Sequence, residues 1–304
     1  MKVLIGVDGS PHGFAAARQA GEILSAERDQ VTLFYSPPQV RLAHDAAPEM
    51  INRARAAIAE AVFDESKKHL PAAMHGALTT MTGTQPAKRG LITAADEMHA
   101  DLIVVGATGA GPINDLLLGS VSKAVLHAAK APVLVVREPP QAKGPGPRVL
   151  AAFDGSEASL DAVQMLGRFS WPPTTLGRLL TVIEPMFVGE IPPWLAHRVR
   201  GPDTEAMAQA WVKGHAEEKN ARQAELKSLA EKLPEAFRHA PPIVAEGNAA
   251  EQILATIAAE NSDLVVLGAR GQGAWERMLI GSTAETVIAH APCSVLVVRR
   301  HERP

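Results

Sequence analysis

A single cysteine, Cys293, rules out an intrachain disulfide and a multi-cysteine zinc site. It stands just before a continuously apolar strand pattern. That place fits a small core hydrophobe, with a reactive thiol as the alternative. Aromatic residues make up 4% of the chain, too few for a base-stacking platform. Net charge is −3 with no long basic run, so nucleic acid is not an expected partner. No apolar stretch approaches the 18 residues of a membrane span, so no membrane partner is expected. The chain opens directly into a strand pattern without the apolar core of a signal peptide, which makes a cytoplasmic location the expectation. The histidines show neither H-x-x-x-H nor H-E-x-x-H spacing, and no metal site is expected. His127 and His290 read as ordinary helix residues. G-x4-G-K-[ST], G-x-G-x-x-G, G-x-S-x-G and a kinase catalytic loop are all missing, which argues against P-loop, dinucleotide, hydrolase and kinase chemistry. No catalytic residue is assigned.

What the chain does have is a repeat. GATGAGPINDLLLGS (Gly106–Ser120) returns as GARGQGAWERMLIGS (Gly268–Ser282), with glycines at the first, fourth and fourteenth positions and serine at the fifteenth. VLIGVDGS (Val3–Ser10) returns as VLAAFDGS (Val149–Ser156), and APVLVVRE (Ala131–Glu138) as CSVLVVRR (Cys293–Arg300). The offset between copies is 146 residues at the start and 162 from the glycine loop onward, so about 16 extra residues lie between strands 2 and 3 of the second half. A repeated unit of about 140 residues is one small domain. The expected organisation is a first domain over 1–137, a Pro/Gly-rich linker over 138–147, and a second domain over 148–304 with an insertion near 185–205.

Each half alternates strands and helices. Strands are expected near Lys2–Val7, Gln30–Tyr35, His75–Thr82, Asp101–Val105 and Pro132–Arg137, then Arg148–Phe153, Thr175–Ile183, Pro242–Glu246, Asp263–Leu267 and Ser294–Arg299. Runs such as LIVV and VLVV are apolar throughout and β-branched, which marks parallel strands covered on both faces. The expected fold class is α/β, two tandem doubly wound units. In such sheets ligands bind beyond the carboxyl ends of the strands, where strand order reverses. The loops Asp8-Gly9-Ser10 and Asp154-Gly155-Ser156 end there, and so do the glycine loops. Bare N–H groups and a helix N-terminus suit phosphate; the aspartate suits a ribose hydroxyl or an adenine edge. The plainer alternative for Asp8 and Asp154 is a helix N-cap.

The glycine spacing, the strand-end V-D-G-S and F-D-G-S, and the closing P-C-S-V-L-V-V-R resemble the universal stress protein family in its tandem form, over nearly all of both halves. G-x2-G-x9-G-[ST] marks the ATP-binding branch of that family. The resemblance implies a five-stranded parallel sheet of order 3-2-1-4-5 in each half, pairing through the fifth strands as a pseudo-dimer within the chain, and a possible homodimer. It implies ATP, with or without Mg2+, as ligand. Gly106, Gly109, Gly119 and Ser120 would surround phosphate and ribose in the first half, with Asp8, Gly9 and Ser10 beside them. Gly268, Arg270, Gly271, Gly281, Ser282 and Thr283 would do so in the second, with Asp154, Gly155 and Ser156. Ser36 and Val182, ending strand 2, would meet adenine through their backbones. The halves differ. The second loop holds Arg270, Glu276 and Arg277 where the first has Thr108 and Asp115, and Ser159 stands where the first half has Gly13. Tighter binding is therefore expected in the second half.

The functional expectation is an ATP-binding stress-response regulator. Two alternatives stand beside it. One is a slow ATPase or autophosphorylating enzyme. The other is a nucleotide-free scaffold that binds a protein or an apolar ligand through the insertion at 186–211, with Phe187, Trp194, Met207 and Trp211. Trp275 either shields the nucleotide or packs outward.

Overall fold

The computed structural model describes residues 1–38, 48–109, 118–138, 146–184, 202–271 and 280–299. Ten strands form one sheet. They are β1 (Lys2–Gly6), β2 (Gln30–Tyr35), β3 (Thr79–Thr82), β4 (Leu102–Gly106), β5 (Val133–Val136), β6 (Arg148–Ala152), β7 (Leu176–Ile183), β8 (Ile243–Glu246), β9 (Leu264–Gly268) and β10 (Ser294–Val298), in the order β3-β2-β1-β4-β5-β10-β9-β6-β7-β8. Each half is a parallel 3-2-1-4-5 sheet. Among the described residues the single antiparallel pairing is β5 with β10, which sets Val135 against Val295, Leu134 against Leu296 and Val133 against Val297. The expected intrachain pairing of the fifth strands is therefore present.

Alternation along the strands divides the core into two layers. Val3 and Ile5 face one side of the sheet, Leu4 the other. On the first side lie α1 (Pro11–Ile23), α2 (Pro48–Lys67), α5 (Glu157–Met165) and α6 (Pro202–Glu231). On the second lie α3 (Ala87–Glu97), α4 (Ser120–Ala128), α7 (Ala249–Glu260) and α8 (Ser282–His290). Each layer runs unbroken across both halves. Val133 to Val136 and Val295 to Val298 are at most 3% exposed, so the junction is as dry as either centre.

Several boundaries differ from the sequence expectation. The strand expected from His75 begins at Thr79, because residues 72–77 form a 3-10 turn after Pro71. The turn buries Met74, and His75 Nε2 sits 2.9 Å from the Lys67 carbonyl oxygen at the end of α2. Helix α1 stops at Ile23, where Leu24 turns extended and Asp29 accepts the Ser25 N–H at 2.7 Å. The insertion expected at 185–205 lies outside the described residues up to position 201.

Cys293 is 2% exposed immediately before β10. Burial pushes its thiol up to about 12, against the lowering influence of the nearby Arg137 cation. At pH 8 only about one molecule in ten thousand then carries the thiolate, the species that reacts. Iodoacetamide at pH 8 is expected to leave Cys293 unmodified in the native protein and to alkylate it completely in denaturant, as read by intact mass. Rapid native alkylation would contradict this placement.

Candidate functional site

Two clefts open at the carboxyl ends of the strands, one in each half, where β1 and β4, or β6 and β9, send their chains in opposite directions. With the open solvent at their mouths included, they span about 850 Å3 in the first half and 1070 Å3 in the second.

Each cleft begins with an aspartate turn. Gly9 (φ +79°) and Gly155 (φ +83°) adopt left-handed backbone that favours glycine, and this reverses the chain into α1 and α5. The N-cap is the following serine, not the aspartate. Ser10 Oγ accepts the Gly13 N–H at 3.1 Å, and Ser156 Oγ accepts the Ser159 N–H at 3.2 Å. Asp8 Oδ1 accepts from the Ser10 N–H at 3.0 Å and from its hydroxyl at 2.5 Å. Asp154 Oδ1 accepts from the Ser156 N–H at 2.9 Å, while the Ser156 hydroxyl donates to the Arg270 carbonyl at 3.2 Å. Gly9, Ser10, Gly155 and Ser156 thus stand beside the clefts and are not among the residues lining them. Their work is to turn the chain and cap the helix.

The second oxygen of each aspartate points across the cleft at the glycine loop. A Cβ on Gly109 would lie 2.9 Å from Asp8 Oδ2, and one on Gly271 would lie 2.8 Å from Asp154 Oδ2. Glycine at these positions is what lets carboxylate and loop backbone approach. Gly106 and Gly268 serve a different contact. A Cβ there would strike the backbone of α1 at His12 O (2.7 Å) or of α5 at Ser159 N (2.6 Å). These two glycines let the helix lie against the end of the strand.

Gly119 and Gly281 close the loops. Their N–H groups donate to Ala107 and Ala269 carbonyls at 2.7 and 2.8 Å. They are also the N-cap residues of α4 and α8, and neither helix has a side-chain cap, in contrast to α1, α5 and α7, which Ser10, Ser156 and Asn248 cap. The first-turn N–H groups at Ser120 and Ser282 are therefore left for another acceptor, at the positive end of the helix dipole. Thr108 lines the first cleft and is 5% exposed, with an Oγ1 that has no hydrogen-bond partner. Arg270 lines the second cleft at the equivalent place.

Of the residues singled out in the sequence, Asp8, Ser36, Gly106, Gly109, Gly119 and Ser120 line one cleft. Asp154, Val182, Gly268, Arg270, Gly271, Gly281, Ser282 and Thr283 line the other. Asp115, Trp275, Glu276 and Arg277 lie outside the described residues. The apolar wall was not anticipated: Phe34 and Leu91 in the first cleft, Leu180 and Ile253 in the second. The Phe34 ring is admitted by two glycines, since a Cβ on Gly83 or Gly90 would lie 2.6 or 2.9 Å from its tip. The second half has the smaller Leu180 and, at the equivalent positions, Ala245 and Gln252. A strand-2 aromatic paired with two glycines downstream was the available signal. Among the described residues no group of three His, Cys, Asp or Glu side chains is arranged to hold a metal, and no helix is long and apolar enough to cross a membrane.

Fold and clefts together define a tandem doubly wound α/β protein with a helix N-terminus lacking a side-chain cap at the cleft of each half. The chain belongs to the universal stress protein family, whose model matches residues 1–137 and 147–299. It is 30% identical over 306 residues to a universal stress protein of Mycolicibacterium smegmatis, covering 98% of this chain and 96% of that one. It is 25% identical over 310 residues to one from Mycobacterium tuberculosis, with the same coverage. A crystal structure of a universal stress protein from Archaeoglobus fulgidus shares the fold with TM-score 0.60, 21% identity and 98% coverage of both chains.

The capping assignments separate two serines of each half by role. Ser10→Ala is expected to cost about 1 kcal/mol in urea unfolding. Ser120→Ala, at a helix start without a side-chain cap, is expected to stay within about 0.5 kcal/mol of the parent protein. Equal losses would remove the distinction.

Proposed function

We propose that the protein is an adenine-nucleotide-responsive regulator that binds ATP in both clefts and acts through nucleotide-linked conformation or assembly in the cytoplasm. One observation carries this reading. In each half an uncapped helix N-terminus, a glycine loop, an aspartate and an apolar wall converge on one cleft. The polyphosphate would lie on the N–H groups at Gly109 and Ser120, or at Gly271 and Ser282. Asp8 and Asp154, whose second oxygens point at Gly109 and Gly271, would accept from ribose hydroxyls at the edge of that loop. Phe34 with Leu91, or Leu180 with Ile253, supplies the apolar face that a base requires, next to the backbone of Ser36 or Val182. Mg2+ would enter as part of the nucleotide. The bound ligand shifts conformation by as much as its differential affinity for two states and no more. Asp8 and Asp154 are the only carboxylates among the described lining residues, and each is held by its own serine turn. Binding rather than turnover is the reading.

The second cleft is ranked tighter. Arg270 stands there opposite Thr108 of the first. One unit charge about 8 Å from another at an effective dielectric near 40 contributes about 1 kcal/mol, and exposure trims it. A difference of roughly threefold to tenfold in Kd is expected. Calorimetry with ATP tests both statements. Gly271→Val, which drives a branched side chain into Asp154 and the phosphate position, is expected to remove the tighter phase and keep a cooperative fold. Gly109→Val is expected to remove the weaker one. No heat with ATP and no nucleotide by native mass spectrometry would overturn the function; loss of the tight phase in Gly109→Val alone would reverse the ranking.

A further inference from the structure

The residue after each fifth strand is an arginine that crosses to the other half. Arg137, after β5, is 4% exposed, and its Nη2 donates to the Ile288 carbonyl in the last turn of α8 at 3.0 Å. Arg299, after β10, sends its Nη2 to the Leu126 and His127 carbonyls in the last turn of α4. Neither forms an ion pair with a described carboxylate. Nε and Nη1 of Arg137 are buried without a partner. Burial lowers the affinity of both guanidinium groups for their proton, and Arg270 in the second cleft adds to the effect at Arg299. A buried cation with so few partners is a poor device for stability: hydrophobic residues of similar volume usually replace such charges at no loss.

Its position offers another use. The carbonyl just before each arginine holds the glycine loop of its own half: Ala107 N–H donates to Val136 O at 2.8 Å, and Ala269 N–H donates to Val298 O at 2.7 Å. The arginine side chain holds the C-terminus of the opposite site helix. That helix is nine residues, about 13 Å, long and starts at the opposite cleft. So a continuous chain of contacts runs from the first loop through Val136 and Arg137 to α8 and Ser282. Its mirror image runs from the second loop through Val298 and Arg299 to α4 and Ser120.

We propose that Arg137 and Arg299 are positioning residues that couple the two clefts, so that a nucleotide in one strengthens binding in the other. The inference rests on the nucleotide reading above. An anion at the N-terminus of α8 and a cation at its C-terminus complement the same helix dipole. Occupation of the second cleft therefore tightens the grip of Arg137, which steadies Val136 and the first glycine loop. Linkage requires the reciprocal effect to be equal.

The test is ATP calorimetry on the full chain. Gly109→Val and Gly271→Val supply the two single-site constants. In the parent protein the product of the two stepwise association constants is expected to exceed the product of the single-site association constants about fivefold. In the Arg137→Met/Arg299→Met double variant that ratio is expected to fall to one, with both sites still binding and Tm unchanged or raised. A merely structural role predicts the opposite: lower Tm, weaker binding at both sites and an unchanged ratio, and that result would overturn the proposal. So would two non-interacting ATP sites in the parent protein, which leaves the nucleotide reading standing. Absence of any ATP binding overturns that reading and the coupling together. If the double variant does not fold, the single variants decide by amide exchange without ligand. Arg137→Met is expected to speed exchange in the last turn of α8 and spare α4, with Arg299→Met doing the reverse. Equal changes in both helices, or none, would sink the proposal.

Discussion

The antiparallel contact of β5 with β10 is the constraint from which the rest of the molecule follows. In a 3-2-1-4-5 sheet the fifth strand is an edge, and here each fifth strand carries four consecutive apolar residues with a row of N–H and C=O groups to satisfy. Left open, either would be a template for another chain. Pairing them inside one chain removes both edges at once and leaves β3 and β8 as the outer strands, whose side chains are largely half-buried or exposed rather than buried. Because the pairing is intramolecular, it needs no second chain at any concentration.

That junction also fixes where the clefts lie. A pseudo-two-fold axis between Leu134 and Leu296 sets the strands of the two halves running in opposite directions, so their carboxyl ends, and with them the two clefts, lie on opposite edges of the continuous sheet. Within each half the helix N-termini are then divided by function. Those that carry the fold, α1 and α5, receive a serine cap and a glycine turn. Those that face the cleft, α4 and α8, begin at a glycine and have no side-chain cap. A side-chain cap would stabilise these helices by about 1 kcal/mol but would fill the position an anion needs.

Much of this is legible in the residues. Continuously apolar strands, the D-G-S turns and the spaced glycines place both clefts, since each signal is local: a period, a turn, a missing Cβ. What escaped depends on contacts distant in sequence. Nothing local says that Gly109 lies bare because Asp8, a hundred residues earlier, points at it, or that Gly83 and Gly90 are small because Phe34 needs room. Residues 75–77, expected at the start of a strand, belong to the 3-10 turn at 72–77 that buries Met74. Ser10 and Ser156 are expected beside the ligand; that their hydroxyls cap α1 and α5 depends on how each turn closes onto its helix.

Duplication within one chain changes what evolution can do with a two-fold site. In a dimer of identical units every substitution appears twice. Here Phe34 with Gly83 and Gly90 faces Leu180 with Ala245 and Gln252, and Thr108 faces Arg270, while the backbone of the two clefts stays alike. A Phe at position 180 would meet side chains at 245 and 252 that the first half lacks, so each wall is a set that changes together. The crossing arginines are retained in both copies in spite of this divergence, at a place where burial disfavours their charge. Two clefts that differ in charge and wall but share one junction have the ingredients for a graded response. The halves are free to differ in affinity, and the contact that made them one sheet is the contact through which they sense each other.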